Sequence, residues 1–330
     1  MIPVISAVGI VNSSKETLSL NFFSIATKQR WLMKVALFGV SGNLGNGIFE
    51  AFKKSSSLEL KAPTRSELDL LNSKEVSSFF KSESPDIVIQ AAGTTTNKNS
   101  SEEDSVNSYE SNILINNNIQ NAAVKSGVQI YIDISSASVY ENFSDLFVSE
   151  NDFYRVAEFY PSHLYSKSKV KQSLSVLEKV SAGYRWYSVI IPYVISTKNL
   201  PRNTRPGLFN RISSEIIHAH EEGGIYSPPA SLDTMVLRQF VHGYDVGRYC
   251  FEIMKNNLKP GILHLPNLPF INLEDFINLH LTKLNRAKFK KTIYELNYLG
   301  ARIVSVQDKF HNFQYEFTAD KIVNSLLNQD

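Results

Sequence analysis

The sequence predicts an α/β protein built on a doubly wound parallel sheet, with a smaller lobe at its C-terminal end. The first observation is a series of short apolar runs, Lys34–Phe38, Leu58–Ala62, Pro85–Gln90, Gln129–Ile134 and Arg185–Pro192, separated by helix-length segments. Strands spaced in this way pair in parallel through right-handed crossovers. The second is the stretch KVALFGVSGNLGNGIFE, Lys34–Glu50, where a strand runs into glycines at 39, 42 and 45 and then into a helix. The third is the loosening of this alternation beyond Pro192.

The elements follow in order. Lys34–Phe38 is a short buried strand, and Leu44, Ile48, Phe49 and Phe52 recur at helical spacing after it. Leu58–Ala62 is the second strand. Ser73–Ser82 is a short helix capped by Asn72 or Ser73. The strand PDIVIQ ends in Ala91, Ala92 and Gly93, and the polar stretch Thr94–Asp104 reads as loop. Tyr109–Ser126 is a helix with Ile113, Ile119, Ala123 and Val124 facing inward. Gln129–Ile134 is the fourth strand, Ser162–Ala182 a helix, and Arg185–Pro192 the next strand. Further on, Leu208–Glu222, Val246–Lys255, Leu273–Leu284 and Asp320–Leu327 read as helices and Gly261–Leu265 as a strand. Met1–Leu32 shows no clear periodicity and precedes a strand that begins just after Met33; it is expected to be an upstream mis-start or a disordered extension.

Composition narrows the class. Of 330 residues, 43 % are hydrophobic and 20 % charged, the balance of a folded globular chain. The net charge of +2 gives no basic field for nucleic acid. No apolar window is long enough to span a membrane. The N-terminus lacks the basic region of a secretory signal. A single cysteine, Cys250, leaves no internal disulfide and suits a reducing, cytoplasmic setting. It lies in an apolar helical run and reads as a buried structural thiol. No metal site is read.

Strand, glycine turn and helix together form a dinucleotide site: glycines let the backbone approach a pyrophosphate, and the helix start offers N–H groups and partial positive charge. The spacing here is G-x-x-G-x-x-G, a variant of the usual fingerprint. An acid about twenty residues on receives the ribose of NAD; a basic residue suits the 2′-phosphate of NADP. The residues present there are Lys61, Thr64 and Arg65, which favours NADP(H) over NAD(H).

The fourth strand leads into Ser135–Tyr140, SSASVY, and LYSKSK follows at 164–169. Tyr165 and Lys169 are four apart and share a helix face. A free phenol, with a pKa of about 10, is a poor acid or base at neutral pH. An adjacent ammonium favours its phenolate. A serine at the strand tip holds a substrate oxygen against the phenol.

These residues together resemble the extended short-chain dehydrogenases/reductases, the NAD(P)-dependent sugar-nucleotide epimerase/dehydratase/reductase family. The resemblance runs from Lys34 to the C-terminus. It rests on GVSGNLG, ELDL (67–70), PDIVIQAAG (85–93), the Asn at 112 in ESNILINN, SSASVY, YSKSK and RQFVHGYDV (238–246). LKAPTRSELDLLN is also similar to part of the GDP-fucose synthases, which use NADPH. The resemblance implies a Rossmann domain over 33–191 and, over 192–330, mainly a lobe that binds a nucleotide-sugar substrate. It implies that Gly39, Ser41, Gly42, Asn43, Leu44 and Gly45 surround the pyrophosphate. Arg65 faces the 2′-phosphate, Asp69 and Leu70 the adenine, and Ala91, Ala92 and Gly93 the cofactor ribose, with Asn112 also cofactor-binding. Ser136, Tyr165 and Lys169 take the catalytic places, Tyr165 as acid/base and Lys169 on the nicotinamide ribose. Arg238 takes the contact to the substrate diphosphate, to which a guanidinium binds bidentately. The family's four-helix dimer interface maps onto Tyr109–Ser126 and Ser162–Ala182, making a homodimer the expected assembly.

The departures narrow the reaction. Dehydratases of this family carry Thr-Asp-Glu where this chain has Ser136, Ala137 and Ser138. Without that carboxylate pair, elimination of water has no acid and base. GDP-fucose synthases have cysteine at the place of Ser138, a far stronger base for 3,5-epimerisation. A hydride-only reaction remains: 4-keto reduction, with 4-epimerisation as the alternative and a non-catalytic dinucleotide sensor as the reading from another class. Glu141, Tyr193 and the basic stretch Thr197–Pro206 depart from the family around the expected pocket. Arg202, Arg205 and Arg211 are candidate diphosphate contacts or surface residues, and His242 reads as a structural histidine.

Overall fold

The computed structural model describes residues 32–95, 100–144, 147–196, 207–224, 226–228, 237–266, 268–285, 302–303 and 313–328. The expectations for residues 1–31 and for Arg202 and Arg205 lie outside them. The strands are β1 (Met33–Phe38), β2 (Leu58–Lys61), β3 (Ile87–Gln90), β4 (Ile130–Ser136), β5 (Phe147–Val148), β6 (Arg185–Ile191), β7 (Tyr193–Ile195), β8 (Leu237–His242), β9 (Gly261–His264), β10 (Phe270–Asn272) and β11 (Arg302–Ile303). The α-helices are α1 (Asn43–Phe52), α2 (Ser73–Glu83), α3 (Glu102–Lys125), α4 (Leu164–Ser181), α5 (Leu208–Glu221), α6 (Gly243–Lys255), α7 (Leu273–Lys283) and α8 (Ala319–Leu327).

Six strands form one sheet in the order β2-β1-β3-β4-β6-β9, all parallel. The chain leaves β1 toward β2 on one side and returns to β3 on the other, so the strand order reverses at β1. A crevice forms at the carboxyl ends there. The doubly wound α/β sheet expected from the sequence is present. One face packs on α1 and α6 through Val35, Leu37, Ile89, Ile132, Phe52 and Ile253. The other carries Ala36, Phe38, Val88, Tyr131 and Trp186 under α2, α3 and α4.

Local sequence sets the helix limits. Asn72 caps α2 by accepting from Lys74 N and Glu75 N, and Glu75 reaches back to Asn72 Nδ2 at 2.7 Å. Helix α3 starts at Glu102, seven residues before the expected start at Tyr109. Ser101 accepts from Asp104 N at 3.0 Å, and three acids fill the first turn, where they complement the helix dipole. Their polarity reads as loop although it is a helix start.

Beyond β6 the chain builds a second layer. Strands β10, β8 and β7 form a small mixed sheet, the first pair antiparallel and the second parallel. Ile195, Phe209, Phe240, Phe276 and Ile322 make its apolar core with α5, α7 and α8. The stretch 192–330 also sends α6 and β9 back to the large sheet. No helix among the described residues is long and apolar enough to cross a membrane.

Candidate active site

The carboxyl ends of β1, β2, β3 and β4 carry most of the residues singled out in the sequence. At the β1 tip Gly39 has φ +92, and a Cβ there would stand 2.6 Å from the backbone of Ala91 and Ala92. Only glycine lets these two tips meet. A Cβ on Gly45 would collide with the Gly39 carbonyl. Gly42 differs: its added Cβ would make only ordinary contact with Gly39 O, at 3.5 Å. Gly42 is the N-cap of α1, contributes no side-chain cap, and is followed by no acid in the first turn. The first N–H groups of α1, those of Asn43, Leu44 and Gly45, therefore remain for an external anion. A dinucleotide pyrophosphate fits this start, since the turn is closed around glycines and open at Gly42.

At the β2 tip Glu67 Oε2 accepts from both Thr64 N and Thr64 Oγ1 at 2.8 Å. These bonds hold the Glu67 carboxyl below its usual range and keep it inside its own turn. Lys61 pairs with Glu59 and Glu83 at 3.3 and 3.2 Å. Arg65 is exposed and has no ion pair among the described residues. Asp69 Oδ1 accepts from Leu71 N at 3.0 Å, and the Leu70 carbonyl accepts from Asn118 Nδ2 at 2.9 Å. Both residues thus have built-in structural roles in the loop before α2.

Beyond β3, Gln90 brackets Ala92 with both ends of its amide. Asn112, buried on α3, donates to Thr94 O at 2.9 Å and accepts from Thr94 N at 2.8 Å. Its amide lies on the backbone of the loop after Gly93 and clamps that loop.

At the β4 tip Ser136 Oγ accepts from Ser138 N at 3.2 Å, opening a short 3-10 turn over Ala137–Tyr140. With a lone pair of Ser136 occupied by Ser138 N, its O–H has no acceptor among the described residues. Ser138 Oγ is buried without a hydrogen-bond partner. Helix α4 packs against this turn and against β4. Tyr165 stands half-buried in its first turn, and Lys169 lies one turn later and 7 % exposed. Lys169 Nζ donates to Ile134 O at 3.1 Å and to Gln172 Oε1 at 3.0 Å. The structure therefore brings Lys169 onto the strand that ends in Ser136, with Tyr165 on the same helix face. Glu141 Oε2 accepts from His163 N at 3.3 Å, which anchors the start of α4. Neither Glu141 nor Gln172 signals this role in the sequence; both depend on how α4 meets β4.

Other candidates lie elsewhere. Arg238 is half-buried on β8, opposite Ile271 of β10, in the second sheet. Arg211 is exposed and pairs with Glu215 at 3.7 Å. His242 Nδ1 caps α6 by accepting from Tyr244 N at 3.1 Å, and its ring stacks on Phe317. Burial pushes His242 down to about 4 and the Cys250 thiol up to about 12, so neither is charged near neutrality.

A doubly wound sheet with a glycine-lined crevice at its switch point is the architecture of dinucleotide-dependent enzymes. The NAD dependent epimerase/dehydratase family matches residues 35–265, and the chain belongs to that family. It is 22 % identical to GDP-L-fucose synthase 1 of Arabidopsis thaliana over 245 residues, 72 % of this chain and 73 % of that protein. It is 28 % identical to GDP-L-colitose synthase of Yersinia pseudotuberculosis over 119 residues, which span only 38 % of that relative and 36 % of this chain. Its fold is that of a GDP-D-glycero-L-gluco-heptose synthase from Campylobacter jejuni solved in the presence of NADPH. The TM-score is 0.70 at 14 % identity, covering 89 % of this chain and 96 % of that one. Other solved chains of the same fold were determined with NADP or with NAD.

Proposed function

We propose that the protein is an NADP(H)-dependent reductase of a nucleotide-linked 4-keto sugar. The observation that carries this reading is that α4, which bears Tyr165 and Lys169, packs on the turn that Ser136 opens at the β4 tip, with Lys169 bonded to Ile134 O and no carboxylate among Ser136, Ala137 and Ser138. Relatives whose names are GDP-sugar synthases support the substrate class. Exposed, unpaired Arg65 at the β2 tip, with the nearby acid of Glu67 turned inward, supports NADP.

The cofactor would rest on the N–H groups of α1 and the tips at Gly39 and Ala91–Gly93, and its nicotinamide supplies the hydride when bound. Tyr165 gives its phenolic proton to the oxygen of the carbonyl being reduced. Ser136 donates its free O–H to the same oxygen, so two donors meet the charge that develops there. The Lys169 ammonium offsets the charge left on the phenolate and uses its remaining N–H for the nicotinamide ribose. Arg238 would bind the substrate diphosphate if the second sheet closes on the crevice. A 4-epimerase would use the same three residues twice, in opposite directions.

The test is purification of the full chain, analysis of its cofactor content, and assay with NADPH and nucleotide-linked 4-keto hexoses. Protein that is isolated empty and consumes NADPH stoichiometrically fits the reductase. Tyr165→Phe should lower kcat by about 10²–10⁴-fold while leaving NADPH affinity nearly unchanged. Protein that retains tightly bound NAD and turns over without added cofactor would establish the epimerase instead. Indifference to Tyr165→Phe would leave only a dinucleotide sensor.

A further inference from the structure

The face of the sheet under α4 holds a carboxylate that the reaction above does not use. Asp133 lies near the middle of β4, beside Gln90 on β3 and Ser188 on β6, and is fully buried. Its neighbours Ile132 and Ile134 turn to the apolar face of the sheet. Asp133 Oδ1 accepts from Gln172 Nε2, and Oδ2 accepts from Ser188 Oγ at 3.3 Å. Ser188 in turn meets Ser173 at 2.8 Å, and Ser173 meets Ser135 at 2.9 Å. Gln172 Oε1 accepts a hydrogen bond from Lys169 Nζ at 3.0 Å. A single amide thus separates the buried carboxylate from the buried ammonium.

The chemistry of the pair gives the arrangement a direction. A glutamine amide can present either end. An ionised carboxylate only accepts, so Asp133 draws the Gln172 NH₂ toward the strand and turns the amide oxygen to Lys169. Two of the three Lys169 donors then have fixed acceptors, Ile134 O and Gln172 Oε1. One donor remains. A buried ammonium also needs compensating negative charge, and among the described residues Asp133 is the buried carboxylate that interacts with it.

We propose that Asp133 is a positioning residue for Lys169: acting through Gln172, it fixes the ammonium and compensates its charge, so that the third N–H is left for the nicotinamide ribose. This rests on the reading of Lys169 given above. Few charged groups face Asp133. Its own strand offers Tyr131, β3 offers Gln90, β6 offers Ser188, and α4 offers Lys169, Gln172 and Ser173. The buried polar side chains of α3 are neutral, Asn112, Asn116 and Gln120 among them. Burial pushes Asp133 up to about 6, against the attraction of Lys169 and its two hydrogen bonds.

The experiment is a fluorescence titration of the full chain with NADPH and with NADH from pH 5 to 9, comparing wild type, Asp133→Asn, Lys169→Ala and the exchange variant Asp133→Asn/Gln172→Glu. The exchange moves the carboxylate to position 172 and the amide to 133, keeping one of each. Thermal unfolding of each variant reports folding. Asp133→Asn is expected to weaken the preferred cofactor about tenfold at pH 7.5, the loss of one charge-assisted hydrogen bond. The difference from wild type should close below about pH 6, where wild type is uncharged at 133 as well. The exchange variant should recover most of the affinity. If Lys169→Ala impairs binding and Asp133→Asn binds as wild type at every pH, the proposal is overturned. A loss in Asp133→Asn that the exchange does not recover overturns it too, since the charge is then not the cause. If Lys169→Ala itself binds normally, it is the assignment of Lys169 that fails.

Discussion

The two faces of the large sheet differ in how much polar chemistry they bury. Toward α1 and α6 the sheet is dry. Val35, Leu37, Ile87, Ile89, Ile132 and Val189 meet Ile48, Phe52, Val246 and Ile253, and Phe52 stacks on Phe251 at 4.0 Å. Toward α3 and α4 the same strands present Gln90, Asp133, Ser135 and Ser188, and the helices answer with Asn112, Asn116, Gln120, Lys169, Gln172 and Ser173, all buried. A parallel sheet needs both faces covered, and apolar packing alone would cover both. The polar side is the one that holds Lys169, and its hydrogen-bonded chain ends at the strand tip where Ser136 lies. The first face is held by close apolar approach; the second joins an apolar cluster around Val88, Tyr131 and Trp186 to directional bonds that specify one arrangement of side chains.

Close approach on the dry face is the easier of the two to destroy. A Cβ on Gly243 would stand 2.7 Å from Leu44 O and 3.1 Å from Asn43 O, and one on Gly47 would stand 2.5 Å from Gly243 backbone. These neighbours are main chain and cannot turn away. Gly243→Val should therefore push α6 off α1 and destabilise the protein by about 3 kcal/mol. The displaced atoms belong to the start of α1, so cofactor affinity should fall as well. Urea unfolding and a NADPH titration on the same preparation check this. Wild-type stability would show that the two helices are free to separate and that close packing is not what holds this face.

The polar face should behave in the opposite way when its charge is removed. The folded-state pKa of Asp133 is raised, to about 6. A carboxyl with a raised folded pKa weakens the fold as pH climbs from its unfolded value, about 3.9, to its folded one. Asp133→Asn lacks this titration, so its stability should gain on that of wild type as pH rises from about 4 to 7.5, although it binds cofactor less well. Two buried histidines act against Asp133 in the same window. Burial holds His242 and His280 down at about 4, so both remain neutral in the fold. Their stability contribution is complete above the unfolded value of about 6.5 and is lost as pH falls toward 4. Wild type should therefore show a shallow acid slope between pH 6.5 and 4, and Asp133→Asn a steeper one. Equal slopes for the two proteins would remove Asp133 from the account.

The contrast between the faces also explains what could be read in the chain beforehand. Apolar runs at β1, β3, β4 and β6 are visible because a strand buried on both faces reads as a continuous run, and Gly39, Gly42 and Gly45 because a tight turn excludes other residues. Tyr165 and Lys169 are legible from their helical spacing. Asp133 and Gln172 are not. One interrupts a strand pattern by a single residue, the other is an ordinary helical glutamine, and their relation exists only once α4 lies across β4. Gly47 and Gly243 were missed for the same reason, since they are far apart in sequence and meet only in the packed helices. The strands β7 and β10, of three residues each, are too short to show a period. Ser101 and the acids after it were legible as a helix start, but their polarity read as loop.

The gentlest probe of the polar face is Ser175. Its hydroxyl donates to Gln172 O at 2.8 Å and accepts from Gln120 Nε2 at 2.9 Å and Asn116 Nδ2 at 3.2 Å. It thus joins α3 to α4 one turn from Gln172. Ser175→Ala leaves the two amides short of an acceptor while changing little in shape, and should cost about 1 kcal/mol. Because the lesion is next to Gln172, the loss should couple to Asp133: in a double-mutant cycle with Asp133→Asn the two effects should depart from additivity by at least about 0.5 kcal/mol. The same cycle between Ser175→Ala and a substitution on the dry face, such as Ile48→Val, should be additive. Additivity in both cycles would mean that the hydrogen bonds of the polar face act one by one and not as a connected support for Lys169.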